Sequence, residues 1–447
     1  MKRILVLLLA LTLLTPVFAQ AEGPRTIESA EDAAEWISIL FGDAPETLDS
    51  GWAVTEQVQA SVAQLGGMKG MARVFASLGS LVKIGAPNEI SIEGYQIYQF
   101  PCVFTLSSVD LMLVLEDGAV AGLNTAPYSG QPEEASEADF EEIGLALPVA
   151  SLNGELPGTL TLPRGEGPFP AVVLIHGSGP SDRDETLGLV KPFRDLAEGL
   201  AARGIAVYRF DKRTYVYGQE IMSDISFTPV EESVEDAAAA VQLLAQQGKI
   251  DPARILVLGH SLGGNLIPAV DRALREAPVK ACGYILMAAS ARPLDVLMRE
   301  QTDFLYSLLP NVPPEMEAQK DALFASLDRL RDLDSLPESE AIAGAYVPYW
   351  RWLASYDALS AAGEITVPCL LLQGQEDYQV TLEDYALWQN ALGKNPGWTM
   401  VTYPGLTHAF TPGQKTEGSN VYARGAHMDP QVIGNIADFI SQITSQY

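Results

Sequence analysis

Over its last 300 or so residues, this 447-residue chain alternates short, almost wholly apolar runs with amphipathic segments. The runs are PAVVLIHG (170–177), IAVYRFD (205–211), RILVLGH (254–260), CGYILMAAS (282–290), PCLLLQG (368–374) and WTMVTYP (398–404). Between and after them lie helical patterns from Lys191 to Arg203, Val230 to Gln247, Leu262 to Glu276 and Pro430 to Ile443. A strand that is apolar at nearly every position needs both faces covered, and intervening helices supply that cover. The rhythm therefore predicts an α/β fold, a mostly parallel sheet flanked by helices. EIGLALPVA and GELPGTLTLP, just upstream, read as an antiparallel hairpin on the sheet's edge. One interval breaks the rhythm. From about 292 to 363 the sequence is helical and rich in aromatic residues where a short crossover would suffice, which predicts an inserted helical lid.

The preceding residues have other patterns. Lys2 and Arg3, an apolar stretch from Ile4 to Leu14, and Ala19-Gln20-Ala21 predict a cleaved export signal at 1–21 and hence a secreted or periplasmic protein. The apolar stretch is shorter than the roughly 20 residues that span a bilayer, and no stable membrane insertion is expected after cleavage. Residues 22–128 combine helical spacing (Trp36, Ile37, Leu40) with alternating runs that turn at Glu116-Asp117-Gly118, predicting a small α+β domain. An acidic stretch at 129–141, with Gly and Pro and no period, reads as a linker to a main domain over 142–447.

Composition narrows the function. With 47% apolar and 19% charged residues the chain has material for a sizeable core. Its 57 Asp and Glu against 28 Lys and Arg give a net charge of −29, which argues against nucleic acid and anionic membrane surfaces as partners. Three cysteines (Cys102, Cys282, Cys369) make no disulfide framework. Four histidines without a CxxC or HExxH pattern argue against a zinc site and leave a carboxylate-bound calcium open; the serine chemistry below requires no metal or cofactor.

Gly259-His260-Ser261-Leu262-Gly263 matches G-x-S-x-G, with the strand RILVL ending before it and a helical run starting after it. In that context the glycines admit a strained strand-to-helix turn that exposes a serine hydroxyl at a helix N-terminus. A serine nucleophile needs a base oriented by a carboxylate, and on such a sheet the chain order is Ser, acid, His. Downstream, His408 lies directly after the last strand, whereas His427 precedes the final helix and reads as structural. For the acid, Asp377 follows strand PCLLL; Glu376 is its rival, and Asp384 reads as solvated helix surface. The first run ends in His176-Gly177-Ser178-Gly179-Pro180, where a second oxyanion donor is expected. Backbone amides of Ser178 and Leu262 are the predicted pair, with Gly177 and Gly179 open as alternatives to Ser178. His176 reads as a brace for that loop. SDRDE (181–185) and FDKR (210–213) read as ion-paired loop ties rather than substrate contacts. Tyr346, Tyr349, Trp350, Trp352 and Tyr356 suit equally an aromatic wall over an apolar pocket and plain packing of a helical cap.

From about Glu142 onward the chain resembles the α/β-hydrolases, in particular bacterial serine hydrolases with HGSGPxDRDE, DKRTYVYG, GHSLGG, QGxxDYQV and YPGLTHAF blocks. Those blocks stand here at 176–185, 211–218, 259–264, 373–380 and 403–410, in the family's order. The resemblance implies Ser261 as nucleophile, Asp377 as acid and His408 as base. Ser261 separates the chain from relatives with Cys or Asp at the elbow. The N-terminal part resembles an uncharacterised α+β domain that often precedes such hydrolases in exported proteins.

The expected activity is hydrolysis of a small-molecule carboxylic ester through an acyl-enzyme. A serine aminopeptidase would need a carboxylate beside the pocket for the substrate ammonium. A coenzyme A thioesterase is disfavoured by the scarcity of Lys and Arg. A catalytically silent exported binding protein would have no need of Ser, Asp and His together.

Overall fold

The structure is a computed structural model that describes residues 24–42, 44–75, 78, 81–92, 94–104, 108–127, 140–309 and 311–445. The export-signal reading at 1–21 and most of the linker reading at 129–141 lie outside the described residues. The chain divides into two compact units at Gln131/Pro132.

The larger unit is built on an eight-stranded sheet. Its strands in chain order are β1 (Phe140–Gly144), β2 (Gly158–Pro163), β3 (Phe169–Ile175), β4 (Ala206–Phe210), β5 (Ile250–His260), β6 (Gly283–Met287), β7 (Cys369–Gly374) and β8 (Trp398–Tyr403). They lie side by side in the order β8-β7-β6-β5-β3-β4-β2-β1. Strands β3 to β8 are parallel, and β2 pairs antiparallel with both β4 and β1. This is the mostly parallel sheet with flanking helices and a helical insertion that the apolar rhythm predicts, and it is the arrangement that the resemblance to α/β-hydrolases implies.

Successive strand residues face opposite sides, so each run feeds two cores. Val173, Tyr208, Val257, Leu286 and Leu371 pack on one side with Ala237, Val241 and Ile267 of helices Glu235–Leu244 and Ile267–Arg275. Val172, Val207, Leu258, Ile285 and Leu372 pack on the other with Phe193, Leu196, Ile436 and Ile440 of helices Pro192–Ala201 and Pro430–Thr444. Each fully buried side chain of this size contributes about 1.5–3 kcal/mol.

Strand β3 lies between β4 and β5. The chain leaves β3 toward one side and returns to the other, which opens a crevice at the carboxyl ends of β3 and β5, where such sheets bind ligands. Between β6 and β7 come helices Leu294–Ser307, Pro314–Asp328, Val347–Ser355 and Ala358–Ala362.

The smaller unit packs four short helices between Ala30 and Val74 with a five-stranded sheet whose pairs are all antiparallel. Trp36, Ile37 and Leu40 join Tyr98, Phe100 and Leu111 in its core. Asp117 (φ 49) and Gly118 (φ 76) both take positive φ in the hairpin between Ser108–Glu116 and Ala119–Pro127. That is the conformation a two-residue Asp-Gly turn adopts between twisted strands.

Candidate active site

Strand β5 runs directly into Ser261, whose φ of 55 and ψ of −119 place a non-glycine residue in the left-handed half of conformational space. Strain of this kind costs about 1–3 kcal/mol and persists only where its surroundings enforce it. Here Ser261 N–H donates to Met287 O of β6 at 2.9 Å, and a helix begins at Leu262. The flanking glycines are steric requirements. A Cβ on Gly259 would stand 2.3 Å from the Gly263 carbonyl oxygen, and one on Gly263 2.5 Å from the carbonyl oxygens of Ile175 and His176.

Asp377 follows β7 and His408 follows β8, so adjacent parallel strands deliver both to one edge of the sheet. His408 Nδ1–H donates to Asp377 Oδ2 at 2.7 Å. The same carboxylate accepts from Gln373 Nε2 (3.0 Å), the Gln379 amide (2.7 Å) and the Val380 amide (3.0 Å). Four donors satisfy the oxygens of this buried carboxylate and fix the imidazole's orientation. With Nδ1 committed to Asp377, the free valence of His408 is at Nε2, which bonds no group among the described residues. The rival acid is directed elsewhere: Glu376 Oε2 accepts from the Lys415 amide.

A second histidine–carboxylate pair adjoins the first. The His260 ring lies 4.5 Å from that of His408, centroid to centroid, and its Nε2–H donates to the His408 carbonyl oxygen at 2.9 Å. On its other side His260 Nδ1 is 3.0 Å from Glu185 Oε2, off the line of a hydrogen bond, while Glu185 Oε1 accepts from the Gly177 amide at 2.8 Å. Burial opposes charge on both groups, but their mutual attraction outweighs it: the Glu185 carboxyl is held below its usual range and the His260 imidazole above its own. The result is a buried ion pair between the loop after β3 and the elbow.

A cavity of about 720 Å³ opens at Ser261. Ser178, Gly179 and Leu262 line it beside the hydroxyl, and Phe227, Leu297, Met298, Tyr349 and Trp350 give it an apolar wall. The Gly177 amide is spent on Glu185, which removes it from the alternatives for an oxyanion donor. The amides of Ser178 and Leu262 bond no acceptor among the described residues. Of the five aromatic residues singled out in the insertion, Tyr346, Tyr349 and Trp350 face this cavity, whereas Trp352 and Tyr356 stack on each other at 4.7 Å against the core.

The remaining histidines lie outside this arrangement. His427 pairs with Asp195 at 2.8 Å. His176 is buried against Phe193, donates from Nε2 to Asp182 O at 2.9 Å, and is pushed down to about 4 by burial, so it is a neutral brace. Asp384 corrects the sequence reading. It is fully buried, not solvated, because Arg292 reaches it from 92 residues upstream and donates to Oδ2 at 2.8 Å, while the Ala291 and Arg292 amides donate to Oδ1.

Sequence reasoning did not find the second pair or the role of Lys212. The signal available for the pair was His260, at the variable position of G-x-S-x-G. Lys212 Nζ is buried and donates to Gly177 O (2.7 Å), Gly179 O (3.1 Å) and Glu232 Oε1 (2.5 Å). No helix of the described residues is long and apolar enough to cross a membrane.

Comparison with known proteins gives a family match and several relatives. Residues 172–414 match the Alpha/beta hydrolase family. The chain is 35% identical over 367 residues to esterase EstD of Thermotoga maritima, covering 81% of this chain and 84% of that one. Among solved structures it aligns with Est1E from Butyrivibrio proteoclasticus at 17% identity, over 68% of this chain and 99% of that one, with a TM-score of 0.43. It also aligns with a puromycin-hydrolysing peptidase of Mycobacterium tuberculosis at 17% identity, over 79% of this chain and 46% of that one, with a TM-score of 0.46. By the family match over more than half its length and by its likeness to EstD, this chain belongs to the α/β-hydrolase family.

Proposed function

We propose that this protein hydrolyses carboxylic esters through an acyl-enzyme, with Ser261 as nucleophile, His408 as general base and then general acid, and Asp377 as the orienting carboxylate. The observation that carries the reading is the 2.7 Å His408–Asp377 bond beside the strained turn that presents Ser261. Ser261 Oγ attacks the acyl carbon as its proton passes to His408 Nε2. The carbonyl π pair moves onto oxygen, and the amides of Ser178 and Leu262 receive the oxyanion. Collapse breaks the ester C–O bond and expels the alkoxide, which takes the proton from Nε2 and leaves as the alcohol. Water then repeats the sequence, giving up a proton to His408 and releasing the carboxylic acid and Ser261. Likeness to a relative named an esterase supports an ester as substrate.

The apolar wall of the cavity and the net charge of −29 favour a small neutral acyl or aryl ester. Glu232 lines the same cavity, but its two oxygens are committed to Lys212 and Tyr349, which leaves it poorly suited to hold the ammonium of a peptide substrate. The proposal includes export by cleavage of residues 1–21 and a gating role for the helices between β6 and β7.

The test is burst kinetics of the chain from about Glu22 with p-nitrophenyl acetate and butyrate, alongside Ser261→Ala. A burst followed by steady turnover is expected in the parent and neither in the variant. Equal rates in two folded proteins overturn the reading, and failure of a fluorophosphonate to label Ser261 separates an inert serine from a narrow substrate range.

A further inference from the structure

Lys212 is a buried cation that reaches the backbone carbonyls of the loop after β3, and what it holds bears on catalysis. Its three donors meet three acceptors: Gly177 O, Gly179 O and Glu232 Oε1. In a trans peptide the C=O of one residue and the N–H of the next point in opposite directions. Drawing Gly177 O toward Lys212 therefore turns the Ser178 N–H away from it, toward the cavity that Ser178 shares with Ser261. The preceding peptide unit is held as well, since the Gly177 amide is bonded to Glu185, which fixes Gly177 from both sides.

The contact continues into the helical insertion. Glu232 lies in the π-helical turn Val230–Val234, and its second oxygen accepts from the Tyr349 hydroxyl at 2.6 Å. Tyr349 belongs to the helix Val347–Ser355 and lines the cavity. Burial and the adjoining Glu232 charge push its hydroxyl well above the usual range, so it remains a donor. The neighbouring pair shows what a plain buried tie looks like: Arg213 grips Asp236 through two bonds of 2.8 and 2.6 Å, and neither residue lines this cavity.

We propose that Lys212 is a positioning residue for the oxyanion site, holding the Gly177–Ser178 peptide so that its N–H faces Ser261, and that Glu232 and Tyr349 make this setting depend on the seating of the insertion. The proposal rests on the ester-hydrolase reading above. It predicts an effect on the transition state and not on ground-state binding, because the oxyanion exists only after attack.

The experiment uses the full chain and three variants. Lys212→Met lowers kcat by about 10²–10³, the loss typical of one oxyanion donor, with KM within about threefold. Because that variant leaves Glu232 buried without its cation, Lys212→Met/Glu232→Gln removes both charges and keeps the outcome readable if the single variant fails to fold. Tyr349→Phe, which keeps the ring and deletes one hydrogen bond, lowers kcat about 3–10-fold with KM unchanged. A merely structural role would lower thermal stability and leave the kcat of the folded fraction at the parental value. Parental kcat in the folded double variant, with turnover still abolished in Ser261→Ala, overturns the proposal and leaves the ester-hydrolase reading intact. Equal turnover in the parent and Ser261→Ala overturns both.

Discussion

His408 and His260 lie ring against ring, each beside a buried carboxylate, yet the two pairs are built for different work. Asp377 receives a 2.7 Å bond from His408 Nδ1 and is further satisfied by a side-chain amide and two backbone amides, so the imidazole is oriented and its Nε2 left open. Glu185 has one backbone donor and depends on the His260 charge for the rest, while both nitrogens of His260 face acceptors. The first pair keeps a proton-accepting position available. The second has none and ties the β3 loop, the elbow and the backbone of His408 into one block. Residue type does not separate them; the number of donors already satisfying the carboxylate does.

The sharpest test of that contrast is to remove each imidazole in turn. His408→Gln is expected to lower kcat/KM by about 10⁴ or more at unchanged fold, as losses of a triad base do. His260→Gln is expected to keep kcat within about tenfold of the parent once folded. Steady-state kinetics on a p-nitrophenyl ester, with circular dichroism to verify folding, reads both. A collapse of kcat in folded His260→Gln would move the second pair into the chemistry and break the comparison.

The next effect is on stability. Glu185→Gln leaves the His260 imidazolium buried without its counter-charge, and breaking a buried pair from one side costs about 3–5 kcal/mol. Urea unfolding should show that loss. The pH dependence gives the sign independently. Glu185 is lowered in the fold, so its contribution is present above the unfolded carboxyl value and is lost as pH falls through the folded one. His260 is raised, so its contribution is full below the unfolded imidazole value and fades as pH rises through the folded one. The pair therefore supports the fold most between those limits, in mildly acidic solution. A variant as stable as the parent there would show that the two are not an ion pair.

Much of this was legible in the chain because the information is local. An apolar run of six or seven residues fixes a two-faced strand, and a polar residue directly after such a strand is carried to the carboxyl edge of the sheet. That is how Ser261, Asp377 and His408 could be singled out by position. The Asp117-Gly118 turn was readable for the same reason, since its conformation depends on two residues. What was not legible depends on partners far along the chain. Asp384 has the helical surroundings of a surface carboxylate, and only Arg292, folded over it, makes it buried. Glu185 and Lys212 were legible as ion-paired loop ties, but their partners were not, because His260 and Glu232 lie 75 and 20 residues away. The lateral order that inserts β3 between β4 and β5 likewise leaves no periodic trace in any one strand.

The smallest of these effects isolates what burial does to a histidine that has no carboxylate in contact. His176 precedes Gly177, the glycine whose amide bonds Glu185, and it is as buried as His260, yet its ring bonds a backbone carbonyl and its pKa is pushed down to about 4. Unfolding exposes a group that titrates near 6.5, so between those values the unfolded chain binds the extra proton. Stability must then fall as pH drops from about 6.5 toward 4, by about 3 kcal/mol in all from this group. His176→Gln keeps a donor for the Asp182 carbonyl and removes the titration. Urea unfolding at pH 7, 5.5 and 4.5 should show the parent losing more stability than the variant, the gap widening toward low pH. Parallel curves would mean that the His176 site accepts a proton in the folded state, and that a buried imidazole in this loop needs no carboxylate partner to become charged.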